Sequence, residues 1–180
     1  MIHNLDNTNL LKANVEAIAQ CCNCFNTMGS GIARQIREIF PEAYTADCKT
    51  IKGDKGKFGK FSVANINNNP YNPNIKHIYN LYGQFTYGTE SRKLNYEAIY
   101  SALEAMSANC QNNRVLKVGF PKNMGCTLAG GNWNIVNEMI VSLFDKNFEV
   151  YICAYDQPRK SAIYEAEGLE LRKKAFDNVK

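Results

Sequence analysis

The sequence predicts an α/β protein in which helices cover a layered sheet. Short β-type apolar runs alternate with longer runs at helical spacing. Two glycine-containing loops each stand between an apolar run and a helix. The length of 180 residues is a little more than one typical domain. Such a chain buries roughly 70% of its unfolded surface and needs no covalent staple.

Val15 to Cys22 is a compact apolar run and reads as a strand. It ends in the polar stretch from Asn23 to Gly31. Ile32, Gln35, Ile36, Ile39 and Phe40 then fall at helical spacing, and Pro41 marks a break or a new first turn. Pro41 to Cys48 reads as a second short helix. Phe61 to Ile66 and His77 to Tyr82 are strand-like, separated by an Asn/Pro loop from Asn67 to Asn74. Ile99, Ala102, Leu103 and Met106 share one face of a helix from Leu94 to Ala108. Val115 to Phe120 is a strand, Pro121 to Gly131 a loop, Trp133 to Phe144 a helix, and Phe148 to Tyr155 a final strand. The charged tail from Gln157 to Lys180 reads as helical. The expected division is a domain over 1–155 and an extension over 156–180.

Composition excludes several classes. Hydrophobic residues at 45% and charged residues at 21% are globular values, not those of a disordered or collagen-like chain. No apolar run approaches the ~20 residues of a membrane span. Met1 to Asp6 lacks the basic flank and apolar core of a signal peptide, so a cytoplasmic protein is expected. The net charge of +4 is too small to imply nucleic acid by itself. The seven cysteines are odd in number and come without a secretory signal, which favours reduced thiols. With only His3 and His77 to assist them, they do not form a zinc pattern, and neither metal nor cofactor is expected. Asparagine is abundant, at 23 residues. It serves equally as a turn former or as an amide ligand to sugar hydroxyls.

The chemistry concentrates at the two loops. In the first, Gly29 and Gly31 open a helix, where close backbone approach and free N–H groups suit an anion. The second runs from Asn123 to Gly131 between a strand and a helix. A tight connection explains either loop alone; two at strand C-termini favour a pair that grips one diphosphate. The dinucleotide fingerprint fails, because Gly29-Ser-Gly31-Ile-Ala-Arg34 has Arg in place of the third glycine. The P-loop fails as well, since neither junction contains Gly-Lys-Ser/Thr. Lys52, Lys55, Lys57 and Lys60, interleaved with Gly53, Gly56 and Gly59, read as a solvated loop. Aromatic interleaving there stops at Phe58 and Phe61, so a nucleic-acid partner is not expected.

Cys22-Asn-Cys-Phe-Asn-Thr-Met-Gly-Ser-Gly-Ile-Ala33 resembles the first ligand loop of macrodomains, nearest the branch of ADP-ribose 1″-phosphate phosphatases and related phage and bacterial proteins. Phe40-Pro-Glu-Ala-Tyr44, Ile78-Tyr-Asn-Leu-Tyr-Gly-Gln84, Asn95-Tyr-Glu-Ala98 and Gly125-Cys-Thr-Leu-Ala-Gly-Gly-Asn-Trp133 resemble later landmarks of that branch, in order. The resemblance implies a three-layer α/β/α fold with a mixed sheet and a cleft for ADP-ribose or a derivative. It implies that Asn23 and Asn26 meet the distal ribose, while Gly29, Ser30, Gly31 and Ile32 wrap it and the adjoining phosphate. Gly125, Cys126, Thr127, Leu128, Ala129 and Gly130 would offer N–H groups to the diphosphate, and Tyr155 would stand beside the adenine.

The departures from the family pattern are chemical. Where the family often carries an acid before the Leu-Leu at the end of its first strand, this chain has Asn9 before Leu10-Leu11. Gln20 replaces a His, and Asn132 replaces an Asp, at positions the phosphatase branch uses for catalysis. Thr127 replaces a glycine, and no lysine follows the Ile78 strand to match the branch that forms a lysine adduct. Amides hold and orient ligands but titrate near no useful pH. The pattern favours a binder with little turnover, either a reader or a sequestering protein such as phage counter-defence employs. The alternative is a hydrolase acting on ADP-ribose 1″-phosphate or on ADP-ribosylated targets.

Overall fold

The computed structural model describes residues 1–154; Tyr155 and the expected extension over 156–180 lie outside the described residues. Six strands form one sheet: β1 (Ile2–Leu5), β2 (Ala17–Asn23), β3 (Phe61–Asn65), β4 (His77–Gln84), β5 (Lys117–Pro121) and β6 (Glu149–Cys153). Four helices accompany them: α1 (Gly31–Ile39), α2 (Pro41–Cys48), α3 (Tyr96–Asn112) and α4 (Trp133–Phe144). The spatial order is β1-β6-β5-β2-β4-β3. Only β3 runs antiparallel to its neighbour, so the sheet is mixed.

Alternation along the strands separates two cores. Ala17 and Ala19 of β2, Tyr79 and Leu81 of β4, and Val118 and Phe120 of β5 face α3 and α4. Ile18 and Ile78, one residue out of phase, face α1, α2 and the 3-10 turn Leu10–Lys12. Helices on both faces make three layers. Pro41 does not end the helical region; it starts α2 at the first turn, where its missing N–H costs nothing. Gly119 of β5 lets the 3-10 turn sit directly on the sheet, because a Cβ there would meet Leu10 Cδ1 at 2.5 Å.

Two expectations need correction. β1 is absent from the sequence reading, because Ile2-His-Asn-Leu5 carries no apolar run; its place is fixed by backbone pairing with β6. Leu10 and Leu11 accordingly stand on a turn after β1, not at its end. Lys57 is also no solvated loop residue. It is 6% exposed, with Nζ donating to Thr50 Oγ1 at 2.7 Å and to Asn26 Oδ1 at 3.1 Å. Among the described residues no helix is long and apolar enough to cross a membrane.

Candidate functional site

β2 and β5 are neighbouring parallel strands, paired at Ala17 with Val118 and Ile18 with Gly119. The chain leaves β2 toward α1 on one face and leaves β5 toward α4 on the other. A crevice must therefore open between their C-terminal ends, the position where open α/β sheets bind ligands. A cavity of about 790 Å³ occupies that crevice. Its volume lies in the range of small-molecule sites.

One wall is the N-terminus of α1. Ser30, Gly31, Ile32 and Ala33 line the cavity, and the Ser30 side chain does not cap the helix. The contrast is with α3 and α4, whose first turns are capped by Asn95 and Asn132. Uncapped N–H groups and the positive end of the helix dipole thus face the cavity. Gly31 has φ +55°, a left-handed conformation that glycine adopts without strain, and a Cβ there would meet nothing within 4 Å.

The opposite wall is the loop after β5. Gly125, Thr127, Leu128 and Ala129 line the cavity. Gly125 has φ +70°, and a Cβ would come within 2.8 Å of Leu94 Cδ1, so the turn requires glycine. The N–H groups of Thr127, Leu128 and Ala129 find no acceptor among the described residues. Cys126 differs from expectation: its N–H donates to Asn123 O at 2.9 Å, and the residue lies outside the lining.

The remaining expected residues divide as follows. Asn9 lines the cavity, with Oδ1 accepting from Leu11 N–H at 2.9 Å. Asn23 also lines it, but its amide is engaged locally; Oδ1 accepts from Phe25 N–H, and Nδ2 donates to Thr27 Oγ1 at 2.7 Å. Asn26 lies outside the lining. Its Nδ2 donates to the Asp47 carbonyl and carboxylate, and φ +56° turns the chain there. Gly29 and Gly130 are likewise outside, and Tyr155 is outside the described residues. Neither residue at a family catalytic position reaches the cavity. Gln20 is fully buried and donates to Asn80 Oδ1, while Asn132 caps α4 by accepting from Asn134 N–H at 3.0 Å.

Sequence reasoning missed the third wall. Gln84 ends β4, Tyr87, Gly88 and Thr89 follow it, and Lys122 follows β5. The exposed Tyr87 ring packs edge-on against Phe25 at 6.3 Å. The usable signal was position, since each stands at or just after the C-terminal end of a central strand.

The lining is poor in acid–base groups. Among the described lining residues there is no carboxylate and no imidazole. Burial pushes the Cys21 and Cys153 thiols up to about 11, and burial holds Cys22 well above the ordinary thiol range. Neutral thiols are weak nucleophiles. The cavity can hold an anion by backbone N–H groups and Lys122, and it can enclose apolar surface.

One sheet with helices on both faces, and a crevice at a topological switch point between two N–H-bearing loops, defines an α/β/α module built to hold a small ligand. The family model described as Macro domain matches residues 19–140, and the chain belongs to the macrodomain family. An uncharacterised 17.5 kDa protein from the tk–vs intergenic region of Enterobacteria phage T4 is 30% identical over 140 residues, 77% of this chain and 86% of that protein. The macrodomain of Thermus aquaticus DarG superposes with a TM-score of 0.68 at 23% identity, covering 87% of this chain and 99% of that one. Thermosipho africanus DarTG, solved in complex with ADP-ribose, gives a TM-score of 0.68 at 18% identity, over 87% of this chain and 42% of that one. At these identities the two structural matches speak to the fold.

Proposed function

We propose that this chain binds ADP-ribose or an NAD-derived ADP-ribose derivative with little or no turnover. The observation that carries the reading is the pairing of uncapped N–H groups at Ser30–Ala33 with those at Thr127–Ala129 across one cavity. Two sets of N–H groups lining one cavity suit a diphosphate held between the loops. The family and the ADP-ribose complex of Thermosipho africanus DarTG point to the same ligand class. Low turnover follows from the lining, in which no carboxylate or imidazole among the described residues is placed to activate water. The domain responsible is 1–155, and its work in the cell is to sequester a nucleotide signal or to read ADP-ribosylated targets.

Calorimetry with ADP-ribose, ADP-ribose 1″-phosphate, cyclic isomers and NAD tests the binding half. Saturable heat with at least one of these is expected. The same ligands and ADP-ribosylated protein, incubated with the chain, test the other half. Release of phosphate or ADP-ribose at ordinary enzymatic rates would establish the hydrolase reading instead.

A further inference from the structure

The sheet ends at β3, which pairs with β4 and has no neighbour on its other side. Lys60 O accepts from Tyr82 N–H at 2.9 Å, and Ile66 N–H donates to Lys76 O at 2.8 Å. Antiparallel alternation therefore turns Ser62 and Ala64 toward β4, and turns the backbone N–H and C=O groups of Phe61, Val63 and Asn65 outward. Those groups have no partner among the described residues. A free edge of this kind is what a further strand pairs with. Phe61 and Val63 also carry half-buried side chains there, so an added strand would cover apolar surface as well.

Helix α2 lies beside this edge. Ala43 O accepts from Asn80 Nδ2, and Asp47 Oδ1 accepts from the Tyr82 hydroxyl, so the helix advances with β4 and against β3. A groove of about 330 Å³ runs between helix and edge strand. Glu42, Thr45, Ala46 and Lys49 line its helix side, and residues 63–65 line its strand side. The helix side is one stripe at helical spacing, with an acid at one end, a base at the other and compact residues between. Glu42 and Lys49 are exposed and have no ion-pair partner among the described residues.

We propose that β3 pairs antiparallel with β3 of a second copy, about a two-fold axis at Val63, to form a dimer with one continuous sheet. A two-fold contact needs a surface complementary to itself, and both parts of this edge meet that condition. Val63 falls opposite the partner's Val63, and Phe61 falls opposite the partner's Asn65. The outward N–H and C=O groups then satisfy one another, and the valine pair is a β-branched cross-strand contact. The same axis sets the two α2 helices side by side and antiparallel, with Glu42 of each facing the partner's Lys49. That charge pattern selects a second copy over an unrelated extended segment, because the antiparallel mate of a stripe running from acid to base is the same stripe. The groove and the ligand cavity share no lining residue, so the contact covers neither cavity.

Sedimentation velocity of the full chain over a concentration series tests the pairing, and a monomer–dimer equilibrium is expected. Val63→Pro removes an outward N–H that the fold does not use, so it should stay folded by circular dichroism and sediment as a monomer. Lys49→Glu leaves the backbone untouched and should weaken association about tenfold, because two symmetric ion pairs become repulsions. Adding Glu42→Lys reverses both pairs and should restore the wild-type constant. A chain that stays monomeric up to about 1 mM overturns the proposal. So does a dimer that Lys49→Glu or a folded Val63→Pro leaves unmoved, or one that the double reversal fails to rescue. Should the proline variant not fold, the charge reversals decide alone. Assembly beyond a dimer would mean head-to-tail contact and likewise sinks the two-fold pairing.

Discussion

Gln20 and Asn80 stand opposite each other on β2 and β4, and Gln20 Nε2 donates to Asn80 Oδ1 at 2.8 Å inside the closed core. Asn80 passes the bond on, its Nδ2 donating to Ala43 O at 2.8 Å and to Ser62 Oγ at 3.0 Å. These two amides join β2, β3, β4 and α2 beneath the face that carries α1. Gln20 therefore belongs to the scaffold. Replacing it with alanine leaves Asn80 Oδ1 without its donor and opens a void, at a cost of about 2–4 kcal/mol. Urea unfolding should report that loss, with ADP-ribose affinity changed less than twofold. A variant of unchanged stability that no longer binds ligand would move Gln20 into the site.

The double variant Gln20→His, Asn132→Asp tests whether catalysis can be restored at the family positions. Neither residue lines the cavity, and position 132 serves as the cap of α4. Aspartate still caps a helix, so the second change is tolerated. Phosphate release from ADP-ribose 1″-phosphate should stay at the wild-type level. A rise of tenfold or more would mean that ligand binding brings these side chains to the reacting group.

Gly31→Trp tests the placement of the ligand. A Cβ at this position meets nothing within 4 Å and the residue lines the cavity, so an indole here is expected to occupy ligand space. The left-handed φ of +55° adds strain on the order of 1 kcal/mol for any non-glycine residue. Calorimetry should show no saturable heat with ADP-ribose, while the chain remains folded by circular dichroism. Gly31→Ala carries the same strain without the bulk and should retain binding. Equal losses in both variants would assign the effect to the backbone.

How much of this was legible beforehand depended on whether the information was local. The strands of β2, β4 and β5 and the helix α4 declare themselves by apolar spacing, and Trp133 to Phe144 is found at its predicted limits. β1 was invisible because its edge residues, such as the half-buried His3 and the exposed Asn4, carry no apolar pattern, and its partners on β6 lie far away in sequence. The two ligand loops could be read from Gly29, Gly31 and Gly125 through Gly131. What the amide of Asn26 does could not, because its partners include Asp47 and Lys57 on other elements. The lysines from 52 to 60 look alike in sequence. Only packing distinguishes the buried Lys57 from its exposed neighbours.

Glu16 makes stability depend on pH. Its carboxylate accepts from Leu116 N–H at 2.7 Å and from Lys117 N–H at 3.3 Å, and it pairs with Lys76 Nζ at 3.1 Å. Partial burial by itself would raise its pKa, but the Leu116, Lys76 and Lys117 hydrogen bonds prevail and hold it below the ordinary value of 4.5. A carboxylate with a depressed folded pKa stabilises fully above its unfolded value and loses that contribution as pH falls through the folded one. The difference in unfolding free energy between wild type and Glu16→Gln should thus be constant at neutral pH and shrink once pH falls below about 4.5. A difference that grows on acidification would reverse the assignment.

A buried charged cluster lies under the first ligand loop. Asp47 is 1% exposed; its Oδ1 accepts from the Tyr82 hydroxyl at 2.8 Å and from Asn26 Nδ2 at 3.1 Å. Lys57 completes the cluster through Asn26 and Thr50, with its Nζ 4.7 Å above the Tyr82 ring. Burial pushes the Asp47 carboxyl up, and the Tyr82 hydroxyl and the Lys57 charge oppose that rise. Lys57→Met keeps most of the stem volume but strands a buried carboxylate without its cation, which should cost about 3 kcal/mol at pH 7. A carboxyl whose folded pKa is raised binds its proton more tightly in the folded state. Part of the loss should therefore return as pH falls toward the raised value, and disappear again as pH rises through it. Asp47→Asn in the same chain should recover stability at neutral pH and remove the pH dependence, because the stranded charge is gone. Because Asn26 turns the loop that leads to Ser30 and Gly31, Lys57→Met should also speed amide exchange from Phe25 to Ser30 and weaken ADP-ribose binding several-fold. Loss of stability with exchange and affinity unchanged would confine the cluster to the core and detach it from the loop.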